Sequence, residues 1–259
     1  MAEAAAIVRR VAATEILPRY RNVAARLKAD GSVVTEADFA AQAALADALR
    51  ALEPVPVIGE EMAAEAQRAI FESSPRFWCI DPVDGTKNFS EGVPFFAVSV
   101  ALVDGVRPAF GLVYDPVADE AFAALRGEGA WLNGEPLAVP PEAPPLSDAL
   151  AEVSLRRDSA RLRAALKKRP PYARRITRGS SALSWCHLAA ARVDVMLHSG
   201  QKMWDYAAGA LVLAEAGGCL AAVEQADFWS ADPWRRSVVA ARSPALLAEW
   251  RGWVARESA

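Results

Sequence analysis

Apolar residues recur at helical spacing in the first part of the chain, and this pattern predicts two helices. The alanine-rich residues 1–27 can bury one face around Val8. A loop is predicted at 28–32, and the second helix follows it with Thr35 as N-cap and Leu45 on the apolar side. We therefore expect the N-terminal part to be helical.

From Phe77 the pattern changes to short runs rich in Val, Phe and Tyr with turn residues between them. The runs are FWCI, FAVSVALV, AFGLVYD and EAFAAL. Such runs predict a meander of β-strands. In the segment WLNGEPL that follows them, Asn133 and Gly134 predict a tight hairpin turn.

Helices and strands alternate in the last third of the chain, which is typical of layered α/β folds. Helices are predicted near 180–191, at 205–216 and from Pro244, and strands at VDVML, CLAAV and SVVAA. A proline-rich connector lies at 136–147. We therefore predict one domain, residues 1–259, of the α+β or α/β class. It would consist of a half with helices and an antiparallel meander (about 1–139) and an α/β half (about 146–259).

Composition narrows the class of protein. The chain has 259 residues, of which 53% are apolar and 24% charged, an ordinary globular balance. Its 29 basic and 32 acidic residues leave a net charge of −3, so we do not expect a nucleic-acid-coating protein. Three scattered cysteines, no signal peptide and no long apolar segment predict a cytoplasmic protein without a membrane span.

The segment IDPVDGT is the first candidate for chemistry. Asp81 and Asp84 follow an apolar strand, the position where α/β enzymes place ligands. Together with the Val83 carbonyl they offer hard oxygen donors that suit Mg²⁺, and the Gly85 and Thr86 amides could face an anion. The alternative is a plain turn, because Asp-Pro and Asp-Gly are common turn formers.

Four more acidic residues are candidates, each with a structural alternative. Glu60 and Glu61 follow a short apolar run and are either ligands or solvated surface. Asp38 is either part of a helix capping box or part of the site, and both roles are compatible. Asp205 opens a predicted helix, as an N-cap or as a third aspartate at the metals.

The segments GEE, DPVDGT, VTEAD and WDYAAGALVLAEAGG, in their order and separation along the chain, resemble the inositol monophosphatase family from about Val34 to the C-terminus. The resemblance implies a Mg²⁺-dependent, often lithium-sensitive phosphomonoesterase. It also implies a layered α-β-α-β-α sandwich and a homodimer.

The resemblance assigns roles to residues of this chain. The positions that match the family's metal ligands are Glu60, Asp81, Val83 through its carbonyl, Asp84 and Asp205. Two metals would share Asp81, a third would use Glu60 and water, and Glu61 would support the ligands from behind. Thr86 and Asp38 match the pair that orients the attacking water, with Glu60 also in the catalytic set. Asp84 and the Gly85 and Thr86 amides match the groups around the phosphate.

The resemblance implies a small phosphorylated metabolite as substrate, and the motifs leave its identity open. An inositol-1-phosphate-like compound is expected first, with histidinol phosphate, fructose 1,6-bisphosphate and nucleotide bisphosphates as alternatives. His198 stands where inositol-hydrolysing members carry a glutamate, which weakens the inositol assignment. Ser180 is a further candidate contact, and Lys87 or Lys202 could meet a second anionic group.

An alternative of another class is an RNA-polymerase-associated binding protein, a role known among some bacterial relatives. The basic run Lys167–Arg175 is the feature that suggests it. The same run is also expected as a solvated face or as a positive lip over the site that would attract anionic substrates.

Overall fold

The computed structural model describes residues 1–28, 31–155, 160–223, 225 and 227–258. The α-helices are α1 (Ala2–Val11), α2 (Glu36–Leu52), α3 (Ala64–Ser73), α4 (Thr86–Glu91), α5 (Ala160–Lys168), α6 (Ser181–Ala189), α7 (Met203–Glu215) and α8 (Pro244–Ser258). The strands are β1 (Arg26–Leu27), β2 (Val33–Val34), β3 (Val57–Gly59), β4 (Arg76–Asp84), β5 (Ala97–Asp104), β6 (Arg107–Asp115), β7 (Glu120–Leu125), β8 (Gly129–Leu132), β9 (Glu135–Leu137), β10 (Leu150–Ser154), β11 (Arg174–Ile176), β12 (Val195–Gln201), β13 (Cys219–Ala222) and β14 (Arg236–Ala241).

A large sheet has the order β3-β4-β5-β6-β7-β8-β9. It is the predicted meander, with antiparallel neighbours except for the parallel pair β3 and β4. Alternate residues of β5 enter different cores, because side chains alternate between the two faces of a strand. Val98 and Val100 pack with α1 and α2, whereas Ala97 and Ala101 pack with α6 and α7.

A smaller sheet has the order β11-β10-β12-β14-β13. Met196 and Val238 on one face join the core around α6 and α7, and Leu197 and Val239 on the other face pack with α5 and α8. The layers therefore run helices, sheet, helices, sheet, helices. This arrangement confirms the α-β-α-β-α sandwich implied by the resemblance. The division into halves at 1–139 and 146–259 stays a prediction.

Helix α7 packs closely on its neighbours in the middle layer. A side chain at Gly111 of β6 would lie 2.8 Å from the Ala208 carbonyl oxygen, and one at Gly209 would lie 2.5 Å from Trp185 Cβ. Real Cβ atoms do not approach so closely, so glycine at both positions allows the contact. The close contact with β6 fixes α7, and with it Asp205, against the large sheet.

The prediction of a helix throughout residues 1–27 is wrong after its first part. Helix α1 continues through a π-helical turn at 12–16 and a 3₁₀ turn at 17–19, and the chain then forms β1. Pro18 lies in the 3₁₀ turn, where its missing N–H and its ring prevent an α-helix from continuing. Strand β1 pairs with β2, and the loop predicted at 28–32 lies between them in the sequence, with residues 29 and 30 outside the described part of the chain.

The hairpin at Asn133-Gly134 is confirmed. Both residues have positive φ, 52° and 88°, as a type I′ turn requires, and Leu132 pairs with Glu135 across it. Among the described residues, no helix combines the length and the apolarity needed to cross a membrane.

Candidate metal and phosphate site

The end of β4 presents two carboxylates on one side of the sheet. Asp81 pairs with Ser99 and Asp84 with Ala97, so β4 contains one residue more than β5 between these pairs. Residues three apart would normally face opposite sides of a strand, and the bulge brings them to the same side. The Val83 N–H donates to Asp81 Oδ1 (3.0 Å), which stabilises the turn.

Asp205 joins these two residues from the first turn of α7. One carboxylate oxygen from each of Asp81, Asp84 and Asp205 lies within 4.8 Å of the other two. Burial and neighbouring acids raise the pKa of all three carboxyls, to about 6 for Asp84 and about 8 for Asp205. A divalent cation would relieve this repulsion, and a cluster of hard oxygen donors suits Mg²⁺. The donor set therefore fits the predicted metal.

Glu60 reaches the cavity from β3, the parallel neighbour of β4. Gly59 pairs with Ile80, so Glu60 and Asp81 leave the same edge of the sheet side by side. The Lys28 ammonium donates to Glu60 (2.9 Å) and to Glu61 (2.6 Å). Burial, with Glu60 nearby, raises the pKa of Glu61 to about 7, despite its hydrogen bond from Lys28. Sequence reasoning missed Lys28.

Asp38 has both of the roles that the sequence left open. It is the capping-box acid of α2, because the Thr35 N–H and hydroxyl donate to its Oδ2 (2.8 and 2.6 Å). Its other oxygen lies 3.1 Å from the Thr86 hydroxyl, which also lies 3.0 Å from the Val83 carbonyl oxygen. Burial raises the pKa of the Asp38 carboxyl. The predicted catalytic pair is therefore in contact.

Gly85 makes the approach to α4 possible. Its φ is +94°, and a side chain there would lie 3.2 Å from the Phe95 carbonyl oxygen and 3.3 Å from that of Gly179. Thr86 is the first residue of α4, so its N–H has no partner within the helix. Gly85 and Thr86 line the cavity, and the binding of an anion by their backbone N–H groups stays a prediction.

Ser180 lines the cavity and lies next to Asp84, and its predicted contact with substrate stays a prediction. Its hydroxyl donates to Asp84 Oδ2 in a short hydrogen bond, and the Ala182 N–H donates to the same oxygen (2.7 Å). The Ser180 side chain also accepts from Leu183 N–H and so caps α6. The structure therefore shows Ser180 as a residue that positions Asp84.

A cavity of about 410 Å³ lies over this edge of the two sheets. His198, Lys87 and Lys202 all line it, as does Ser181, whose hydroxyl oxygen lies 3.1 Å from His198 Nε2. The Lys87 ammonium lies 3.6 Å from Glu91 at the surface, and that of Lys202 lies 5.2 Å from the Trp204 ring centre. The candidate substrate residues thus surround one cavity.

Sequence reasoning missed two more charged residues of this cavity. Glu152 and Arg178 line it, and their side chains form an ion pair. A signal for Glu152 was present, because it is a single acid within the otherwise apolar run of β10. Arg178 carried no such signal.

The basic run Lys167–Arg175 was expected as a solvated face or as a lip over the site, and its charged residues are exposed. Strand β11 is parallel to β10, and Arg174 pairs with Leu150 at the end of β10 away from the cavity. The Arg175 guanidinium instead donates to the Val153 carbonyl (3.1 Å), next to Ser154, which lines the cavity. The role of a lip over the site stays a prediction.

The chain matches the model of the inositol monophosphatase family over residues 1–257. It is 38% identical over 194 residues to inositol monophosphatase 2 of Solanum lycopersicum, covering 72% of this chain and 73% of that protein. It is 35% identical to Nus factor SuhB of Haemophilus influenzae over 220 residues, covering 81% and 78%. Among solved structures, the IMPase of Thermotoga maritima superposes with a TM-score of 0.83 at 27% identity, covering 98% of this chain and 95% of that one.

Proposed function

The chain belongs to the inositol monophosphatase family and is a phosphatase, and we propose that it hydrolyses a small phosphorylated metabolite by direct in-line attack of a water molecule on phosphorus. The observation that carries this proposal is the meeting of three carboxylates, from two different elements, at a cavity that Gly85 and Thr86 also line, with Asp38 buried behind the Thr86 hydroxyl. A cluster of this kind serves phosphate esters, whose charge must be neutralised before water can attack.

The residues that would hold Mg²⁺ are Glu60, Asp81, Asp84 and Asp205, which line the cavity, and Val83 through its carbonyl, as the family resemblance implies. Two or three bound ions would neutralise the phosphate oxygens, lower the pKa of a bound water and stabilise the leaving alkoxide. The protein supplies mainly position and charge. Ser180 and the Ala182 N–H hold Asp84, and the Lys202 N–H holds Asp205 at 2.8 Å.

Thr86 and Asp38 would orient the water. When the Thr86 hydroxyl donates to Asp38 Oδ1, its oxygen keeps lone pairs that can accept a hydrogen from water. The water then has a lone pair free to attack phosphorus. Thr86 and Asp38 together can take up the proton that the water releases. The backbone N–H groups of Gly85 and Thr86 would hold phosphate oxygens.

The buried side chains favour water over a covalent nucleophile. Burial raises the pKa of the Cys79 and Cys186 thiols well above the usual range, so both stay protonated. The Ser180 hydroxyl is bonded to Asp84. Among the described residues that line the cavity, Ser181 is hydrogen-bonded to His198 (3.1 Å), and both lie outside the cluster of three carboxylates.

The test of the proposed function is phosphate release from inositol 1-phosphate, histidinol phosphate, fructose 1,6-bisphosphate and adenosine 3′,5′-bisphosphate, with and without Mg²⁺. We expect Mg²⁺-dependent release from at least one of them. Asp84→Asn should abolish it, while Asp47→Asn, a change at an exposed aspartate of α2, should leave it unchanged. Folded wild-type protein that releases no phosphate from any of the four would contradict the proposal.

We also expect a homodimer, which sedimentation would test. Among the described residues, nothing favours an RNA-polymerase-associated role over hydrolysis, and the intact carboxylate cluster supports catalysis.

A further inference from the structure

Glu152 and Arg178 form a charged pair in the cavity wall, separate from the acids of the metal site. Arg178 Nη2 lies 2.5 Å from Glu152 Oε2, and Nε lies 3.4 Å from Oε1. The Ser184 hydroxyl donates to the same Oε1 at 2.7 Å. Because Glu152 is only 4% exposed, water hardly reaches its carboxylate. Arg178 and Ser184 therefore compensate its charge.

The guanidinium of Arg178 is also held by other groups. Its Nη1 donates to His187 Nδ1 (2.5 Å), and it stacks over the Phe95 ring, 4.5 Å from the ring centre. Burial and two neighbouring arginines lower the pKa of His187 to about 3, so the ring is neutral near pH 7 and can accept this hydrogen bond. Asn88 holds the Arg178 backbone carbonyl at 2.7 Å. The side chain therefore has a fixed orientation before any ligand arrives.

The Arg178 guanidinium has N–H groups left over to bind a ligand. An arginine side chain has five N–H groups. Three of those of Arg178 have partners among the described residues, which leaves one on Nη1 and one on Nη2. Its side chain is 24% exposed, against 5% for Glu152, and it lines the cavity. A ligand in the cavity would meet the guanidinium and not the carboxylate.

We propose that Arg178 is a specificity-determining residue that binds a second oxyanion, a carboxylate or a phosphate, on the leaving-group part of the substrate. This inference rests on the proposed phosphatase function. A fixed guanidinium fork matches the planar geometry of a carboxylate and the oxygens of a phosphate. Lys87 and Lys202 line the same cavity and add positive charge, while its other acids lie at the metal end.

Two pairs of compounds isolate the second oxyanion. 3-Phosphoglycerate differs from glycerol 3-phosphate in having a carboxylate in place of a hydroxymethyl group. Fructose 1,6-bisphosphate differs from fructose 1-phosphate in having a second phosphate. For wild-type protein we expect kcat/KM to be at least about 10-fold higher for the compound with the second oxyanion group than for its partner in one of the pairs, with most of the difference in KM. The pair that shows it tells which oxyanion is bound.

The variant is the double change Glu152→Gln with Arg178→Gln, because Arg178→Gln alone would leave a buried carboxylate unpaired. We expect it to remove the preference and to leave kcat/KM for the partner compound within about twofold. Arg174→Ala removes one positive charge at the far end of β10 and should change neither value. Equal losses for both members of a pair would indicate a purely structural role and overturn the proposal.

A binding measurement separates recognition from turnover. Dissociation constants of the four compounds for the Asp38→Asn protein with Mg²⁺, measured by calorimetry, should show the same preference. The double change should remove it. If wild-type protein hydrolyses none of the four compounds but the preference in Kd is present, the result counts against the proposed function and supports the binding role of Arg178. Equal Kd values within both pairs overturn the role of Arg178, whatever the turnover.

Discussion

The Thr86 hydroxyl lies 3.1 Å from Asp38 Oδ1, although 48 positions separate the two residues along the chain. Asp38 is fully buried, and the N–H and hydroxyl of Thr35 fix its other oxygen. The carboxylate that caps α2 thus also holds a hydroxyl of the candidate site. The position of the Thr86 oxygen is set by the packing of α2 against β4, and not by its own loop alone.

Thr86→Val should reduce kcat by about 100-fold or more, because the methyl group cannot orient a water or pass on its proton. The shape of the side chain is kept, so we expect a change of less than about 2 kcal/mol in the free energy of unfolding. Steady-state kinetics and urea unfolding check both values. Thr14→Val, at an exposed threonine of the N-terminal helix, is the control and should leave kcat unchanged. A Thr86→Val enzyme with wild-type kcat would remove Thr86 from the mechanism.

Metal-free protein should become less stable as the pH rises from 6.5 to 8. The pKa of Asp205 is raised to about 8 in the folded state, while an unfolded aspartate titrates near 4. A raised folded pKa means that stability is greatest at low pH and is lost as the pH rises toward the folded value. The slope is at most about 1.4 kcal/mol per pH unit for one group.

Thermal melts in EDTA at several pH values measure this loss. His187 is neutral in both states over most of this window, because its folded pKa is about 3 and the unfolded value is near 6.5. Asp205→Asn should flatten the curve, and Mg²⁺ should restore stability to wild-type protein at pH 8. A wild-type curve that rises with pH in EDTA would contradict the assignment.

Lys28→Met should strengthen Mg²⁺ binding. The Lys28 ammonium neutralises Glu60 and Glu61, so a metal ion at Glu60 must compete with it. We expect the Mg²⁺ concentration that gives the half-maximal thermal shift to fall about threefold to tenfold. This is the effect expected from removing one positive charge that solvent and salt partly screen. Lys167→Met, at an exposed lysine of α5, should have no effect. A weaker response to Mg²⁺ in the Lys28 variant would show that the lysine supports the metal site.

Gly111→Ala should destabilise the protein by about 1–3 kcal/mol, because the added methyl group would overlap the backbone of α7 at Ala208. Since α7 carries Asp205, the Mg²⁺ affinity should fall as well. Gly252→Ala in α8 meets only the flexible end of Arg256 at 3.4 Å and should be neutral or stabilising. Unfolding in denaturant and Mg²⁺ titration measure both effects. Equal stability of the two variants would disprove the packing argument.

The sequence predicted most of the candidate metal site because each part of it is a local signal. Asp81 and Asp84 lie in one short segment, and Asp38 and Asp205 are each the third residue of a helix, where an acid is a recognisable start signal; Asp205 is therefore not the N-cap of α7. Their assembly at one point came from a resemblance, since no local rule joins residues so far apart. The strand meander and the Asn133-Gly134 hairpin were also predicted, because strand alternation and turn chemistry depend on neighbouring residues.

The errors of prediction involve contacts between distant segments. Lys28 directly follows β1 and reaches Glu60, 32 positions away along the chain, a contact that the periodicity of residues 1–27 does not predict. The basic run Lys167–Arg175 was expected as a solvated face or as a lip over the site, and the parallel register of β10 and β11 places Arg174 beside Leu150, at the end of β10 away from the cavity. Register is set by the packing of whole strands, which periodicity does not reveal.

By itself, the sequence determined the layered fold class, the family and the acids that can bind metal, because these depend on local patterns and on the order of short motifs. Only the tertiary structure decided which charges are free to meet a substrate. The sequence offers Arg178 and Glu152 as unrelated charges 26 residues apart, and the parallel strands and α6 bring them together. Burial and hydrogen bonding then compensate the carboxylate and leave the guanidinium facing the cavity, because the availability of a charge depends on all the groups around it.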